Sequence, residues 1–259
     1  SYLEENDDVA LTGVATVGVN EFAEVVLGGT IALTAAVAFF GISGTREIAD
    51  GGAFDLGFQA MPLILQHLPL GHLLGALWFL LLFFAGLTSA VAMAQPMIAL
   101  LQEGWGLSRR RAVAIVGAAM FVLAQPVIFF HRFGFLDELD YWVGAVALVL
   151  FALLEVLVFA WVFGIERGWR EISRGAIVRP PAFFKPVIKY LTPAFLAAIL
   201  LWWALTEVPE KMSLENVEPS SRPYILGARL MIGGLLGGVL LLVRSASRRW
   251  PETTKRTGQ

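Results

Sequence analysis

An all-α integral membrane protein is the fold class this sequence predicts, and three observations predict it. Hydrophobic residues make up 57% of the 259 and charged residues only 15%, with a mean hydropathy of +0.71, whereas soluble domains are roughly half apolar and a quarter charged. The apolar residues gather into six runs of membrane-crossing length or near it, at about 11–41, 70–101, 112–130, 141–163, 191–205 and 225–243. Basic residues then alternate between the connections. Fourteen of the nineteen fall after the second run (Arg109, Arg110, Arg111), between the fourth and fifth (Arg167, Arg170, Arg174, Arg179, Lys185, Lys189), or after the sixth (Arg244, Arg248, Arg249, Lys255, Arg256). By the positive-inside rule these connections and both chain ends lie in the cytoplasm.

The same composition excludes several classes. With no cysteine in the chain, disulfides, zinc fingers and thiol nucleophiles are absent. A net charge of −2 says nothing useful about nucleic acid, but the sequence shows no basic groove to carry a phosphate backbone, so no nucleic-acid partner is expected. The chain reads as a single membrane domain. It begins Ser1-Tyr2 with neither a methionine nor a leader, so the expectation is a piece of a longer protein.

The first run is small and aliphatic except for Asn20, Glu21 and Glu24. Asn20 and Glu24 stand one turn apart on one helix face. An amide oxygen can ligate sodium, and a carboxylate beside it can hold a proton or balance the cation. Asn20 as interhelical hydrogen-bond glue is the plainer use, worth about 1–2 kcal/mol or less. The connection at about 42–70 is predicted to be a helical hairpin outside the membrane. Arg46 to Asp50 is helical in pattern, Gly51-Gly52 breaks it, and Ala53 to Leu68 is apolar but interrupted by Pro62. Ala53 and Phe54 would form the tip.

The second run has a small, polar middle. Ala85, Thr88 and Ser89 fall at i, i+3 and i+4, which gathers two hydroxyls and a carbonyl on one face. Uncharged oxygens suit a hard, weakly held cation, although small residues also serve simply to let helices approach. Glu103 ends this run just before the Arg109–Arg111 cluster. The fourth run opens on Leu136-Asp137-Glu138-Leu139-Asp140-Tyr141-Trp142, where acids favour a helix N-terminus and the aromatics suit a membrane interface. Within that run, Glu155 is expected to be a buried, paired or protonated structural carboxylate.

Several strings together resemble the neurotransmitter:sodium symporters, in their bacterial amino-acid branch. They are Asn20-Glu21-x-Ala23-Glu24-Val25, Ala35 to Gly41, Gly52-Ala53-Phe54-x-Leu56-Gly57-Phe58, Phe83 to Ser89, Gln95 to Ala99, Leu136 to Trp142, and Tyr190 to Leu196. The resemblance runs nearly end to end and aligns the six runs with helices seven to twelve of a twelve-helix LeuT-type fold, an architecture of inverted repeats with binding at the bilayer midplane. It implies a sodium-coupled symporter of a small neutral amino acid in a bacterial inner membrane, with the first six helices absent from this chain.

By position, the resemblance implies that the Ala85 carbonyl with the Thr88 and Ser89 hydroxyls serves one sodium ion and Asn20 another. Ser89 and Met93 would line the amino-acid pocket, Met93 in place of an aliphatic residue. Asp140 matches the acidic half of an outer gate, with Tyr141 beside it where the family has Phe. Glu103 stands where an Asp closes the inner side near the N-terminus, here Tyr2. Glu24 takes the place of a serine that helps to hold chloride in chloride-dependent members. A fixed carboxylate there implies chloride-independent transport with proton counter-transport. A homodimer through the ninth and twelfth helices is an association the resemblance allows. The rival class, an intramembrane hydrolase, lacks its motifs: there is no His-Glu-x-x-His or Gly-x-Ser-x-Gly, and His67, His72 and His131 lie in connections or at the ends of runs. The chain is therefore not expected to be an enzyme. A non-transporting membrane subunit packed against another protein is the alternative.

Overall fold

The computed structural model describes residues 7–50, 54, 56–215 and 217–253. Among them, six helices are long and apolar enough to cross a membrane: α1 (Val9–Ala49), α3 (Gly71–Trp105), α4 (Arg109–Phe133), α5 (Phe135–Ile172), α6 (Phe184–Thr206) and α8 (Arg222–Arg248). Two shorter helices, α2 (Leu56–Leu65) and α7 (Val208–Ser213), lie between them. A bilayer offers no water to the backbone, so a lipid-exposed crossing segment satisfies its N–H and C=O groups internally by forming a helix. The helices outrun the apolar runs. The third begins at Arg109 rather than 112 and the fifth at Phe184 rather than 191, because backbone hydrogen bonding continues into polar flanks that the hydrocarbon does not contain.

The chain divides into two compact units. In the first, residues 1–92 and 172–180, Asp8 caps α1: its Oδ1 accepts from the Leu11 backbone N–H at 2.8 Å and its Oδ2 from that of Ile177 at 2.8 Å. These two donors hold the Asp8 carboxyl below its ordinary value. Across Phe22–Gly29 the helix widens into π-type turns, a feature frequent at functional sites. At Gly41 (φ 69°, ψ 178°) α1 kinks; a side chain would oppose that positive φ.

Beyond the tip, α2 packs back on the Thr30–Asp50 part of α1, and Ala60, Met61 and Ile64 are buried. Phe39 and His67 meet with ring centroids 5.8 Å apart. The Trp78 indole donates to the Gly57 carbonyl at 2.9 Å, tying the hairpin to α3. Of the expected tip, Phe54 is exposed, while Gly51, Gly52 and Ala53 lie outside the described residues.

The second unit comprises residues 93–171 and 181–259. The division falls at Ala92/Met93, one turn before Pro96, which cannot donate to the Ala92 carbonyl and so weakens α3 there. Past that point Ile98 and Leu101 form a core with Ala112 and Val116 of α4. Gly104 faces Ala246 of α8 so closely that a Cβ would stand 2.7 Å from the alanine Cβ. Small residues at such a crossing let helices approach where lipid supplies no hydrophobic drive. The start of α5 packs on α8, with Phe135, Ile225 and Ala228 buried and the Phe133 and Tyr224 rings stacked at 4.3 Å. Much of the remaining apolar surface is exposed, including Phe83, Leu87 and Val91 on α3, as suits helices solvated by lipid or by further helices.

Candidate functional site

The Thr88 hydroxyl lies 2.9 Å from the Phe84 carbonyl oxygen and 3.0 Å from that of Ala85. Donation of its proton to Phe84 leaves the hydroxyl lone pairs and the Ala85 carbonyl on the same side of α3. Hard cations of calcium size sit about 2.3–2.6 Å from their oxygens, so two oxygens 3.0 Å apart can touch one ion. Ser89 adds a third oxygen on the next residue. Among the described residues its hydroxyl has no hydrogen-bond partner, and the whole turn is exposed. Met93, one turn further along, is 74% exposed.

Asn20 stands one residue before Glu21, the last of the regular part of α1, and Glu24 lies inside the π-type turns that follow. The sequence expects both on one face, and the widening leaves them within one turn of each other. Both are exposed. No hydrogen bond among the described residues joins either to Ala85, Thr88 or Ser89, so the two sodium-related sets stand on α1 and α3 as separate groups of donors.

The start of α5 holds a cluster that the sequence reading passed over. Glu138 is 5% exposed; its Oε1 accepts from the Trp142 indole at 2.7 Å and from Arg229 Nε of α8 at 2.5 Å. Arg229 also donates to the Lys211 backbone carbonyl at 2.5 Å, which draws in α7. The detectable signal was Arg229, a lone cation inside the sixth apolar run, where a charge needs a partner. Asp140, two residues on, is exposed, with one carboxylate oxygen lying over the Cα of Gly144. Tyr141 lies beneath the Lys211 ammonium, which is 5.1 Å from its ring centre. Its hydroxyl is buried without a hydrogen-bond partner among the described residues.

Glu103 is exposed beside the close Gly104–Ala246 crossing, and Tyr2, its expected neighbour, lies outside the described residues. Glu155, expected to be buried, paired or protonated, is neither buried nor paired among the described residues.

Six long apolar helices among the described residues and a helical hairpin after the first define a multi-pass membrane protein of the LeuT-type fold. The chain belongs to the sodium:neurotransmitter symporter family, whose model matches residues 1–236; its members are transporters and not enzymes. It is 27% identical over 211 residues to an uncharacterised sodium-dependent transporter of Methanocaldococcus jannaschii, covering 77% of this chain and 41% of that protein. It is 24% identical over 159 residues to the sodium- and chloride-dependent glycine transporter 2 of Xenopus laevis (60% of this chain, 20% of that protein). To glycine transporter 1 of the same frog it is 23% identical over 168 residues (63% and 26%). The match thus spans less than half the length of each of these relatives.

Proposed function

We propose that this chain supplies one half of a sodium-coupled symporter that moves a small neutral amino acid by alternating access. The observation that carries the reading is the oxygen-lined turn of α3, where the Ala85 carbonyl and Thr88 hydroxyl lie 3.0 Å apart with Ser89 beside them, in a chain of this family. Ser89 and Met93 contribute one wall of the amino-acid pocket, and Asn20 contributes to a second sodium site. The names of the two glycine transporters support a small neutral cargo. Helices supplied by the rest of a longer protein complete both sites.

Sodium coupling rests on a site shared with the amino acid, which makes the two binding events mutually favourable, so that sodium entering down its gradient carries the amino acid with it. Asp140 and Tyr141 then serve the outer gate and Glu103 the inner one. Glu24 supplies a fixed negative charge near Asn20, so transport does not require chloride. Once sodium leaves, an unpaired carboxylate at membrane depth is costly, and Glu24 takes up a proton for the return of the empty carrier. The membrane is a bacterial inner membrane, with the Arg- and Lys-rich connections on its cytoplasmic face.

The test is uptake of radiolabelled amino acids by the complete carrier in proteoliposomes under an imposed sodium gradient. Accumulation that collapses when sodium is replaced by potassium supports the reading. Indifference to sodium would favour a non-transporting membrane subunit.

A further inference from the structure

Where α5 and α6 meet, at the end bearing Arg167 and Lys189, a cavity of about 640 Å³ opens among residues that include Trp161, Phe163, Glu166, Arg167, Lys189 and Tyr190. Its charge is unbalanced. Glu166 is already engaged by Lys185 at 2.8 Å, whereas Arg167 and Lys189 have no carboxylate partner among the described residues. Among the described residues, the Lys189 ammonium rests on the face of Tyr190, 5.3 Å from the ring centre.

The cavity also has a definite depth. The Trp161 indole donates to the Lys189 carbonyl at 2.9 Å and meets Tyr190 edge-on at 6.2 Å; Trp and Tyr of this kind settle at the headgroup level. On one side Val162 and Phe163 are exposed apolar residues of α5. On the other, past Gly164, the turns of Ile165–Ile172 bury Ile165 and Gly168 and expose Glu166, Arg167, Arg170 and Glu171. Cations on the polar side, aromatics at the boundary and bare hydrocarbon on the membrane side match a phosphate that carries acyl chains. A guanidinium fork suits phosphate geometry, and basic pockets between membrane helices on the cytoplasmic side bind such headgroups.

We propose that Arg167 and Lys189 hold the phosphate of an anionic phospholipid in this cavity, with an acyl chain laid along Val162 and Phe163. This binding is independent of sodium coupling. It is tested by native mass spectrometry of the chain in detergent, titrated separately with phosphatidylglycerol, phosphatidylcholine and inorganic phosphate. Removing both cations (Arg167→Gln with Lys189→Gln) should weaken phosphatidylglycerol binding roughly thirtyfold, the effect of two charges at a membrane surface, and leave phosphatidylcholine unchanged. Arg167→Lys with Lys189→Arg should retain it. The equal charge loss of Arg46→Gln with Arg132→Gln should have no effect. In the unaltered chain, added salt should strip phosphatidylglycerol but not phosphatidylcholine. Undiminished phosphatidylglycerol binding by the Gln pair, or salt-insensitive binding by the unaltered chain, would overturn the site. Inorganic phosphate bound as tightly as the lipid would overturn its assignment to a lipid.

Discussion

Glu138 of α5 and Arg229 of α8, 91 residues apart in the chain, form an ion pair with Nε 2.5 Å from Oε1. The carboxylate is 5% and the guanidinium 18% exposed at the side chain, so neither charge has water to fall back on. Removing one partner of a buried pair costs about 3–5 kcal/mol, while replacing both by apolar groups is often neutral. Arg229→Met should therefore destabilise the second unit by about that amount, and Glu138→Leu in the same background should restore most of the loss. Thermal unfolding in detergent, arranged as a double-mutant cycle, measures this. Small additive effects would mean that the pair contributes nothing beyond packing.

The Asp8 carboxyl, lowered by backbone N–H groups of Leu11 and Ile177, links the start of α1 to the 172–180 segment of the same unit. A carboxyl whose folded value is depressed contributes stability above its unfolded value of about 3.9, and that contribution disappears as the pH falls through the lower folded value. Hydrogen-exchange protection of the Ile177 amide should hold from neutral pH down to about 4 and fall below it. Asp8→Asn should remove the pH response. A response that survives in Asp8→Asn would assign the link to other groups.

Asp140 and Asp137 share the first turns of α5, yet the proposed outer gate uses only Asp140. Asp140→Asn should reduce the uptake rate of the complete carrier by about tenfold, a loss of roughly 1.4 kcal/mol in the barrier. Asp137→Asn should change it by less than about twofold. Equal small effects would reduce both acids to favourable charges at a helix N-terminus.

Much of the fold could be read in advance because the bilayer permits few alternatives. An apolar run of sufficient length there has to be a helix. The α3 donors were legible for a similar reason, since i, i+3 and i+4 always share a face. The Glu138–Arg229 pair was not. An acid in the first turn reads as a helix-dipole charge, and its partner lies 91 residues away, a distance no local pattern spans. The π-type turns around Glu24 carry no sequence signature.

Glu24 invites an exchange of one charge carrier for another. In the complete carrier, Glu24→Ser should make uptake depend on chloride and abolish its response to an imposed pH gradient. Uptake assays with chloride replaced by gluconate, and with the pH gradient set or collapsed, read both effects. A Glu24→Ser carrier that ignores chloride and keeps its pH response would show that this carboxylate does not balance the sodium charge.

In the function proposed above, the α3 turn bearing Ala85, Thr88 and Ser89 holds the sodium ion that drives transport. Thr88→Val with Ser89→Ala removes two of its oxygens while keeping side-chain size close to the original. The most direct measurement is the sodium concentration that gives half-maximal amino-acid uptake by the complete carrier in proteoliposomes, with helicity checked by circular dichroism. It should rise about tenfold or more, a loss of at least roughly 1.4 kcal/mol in ion binding, with helicity unchanged. The same half-maximal sodium concentration in the double variant and the unaltered carrier would contradict the claim and leave the two hydroxyls as packing groups.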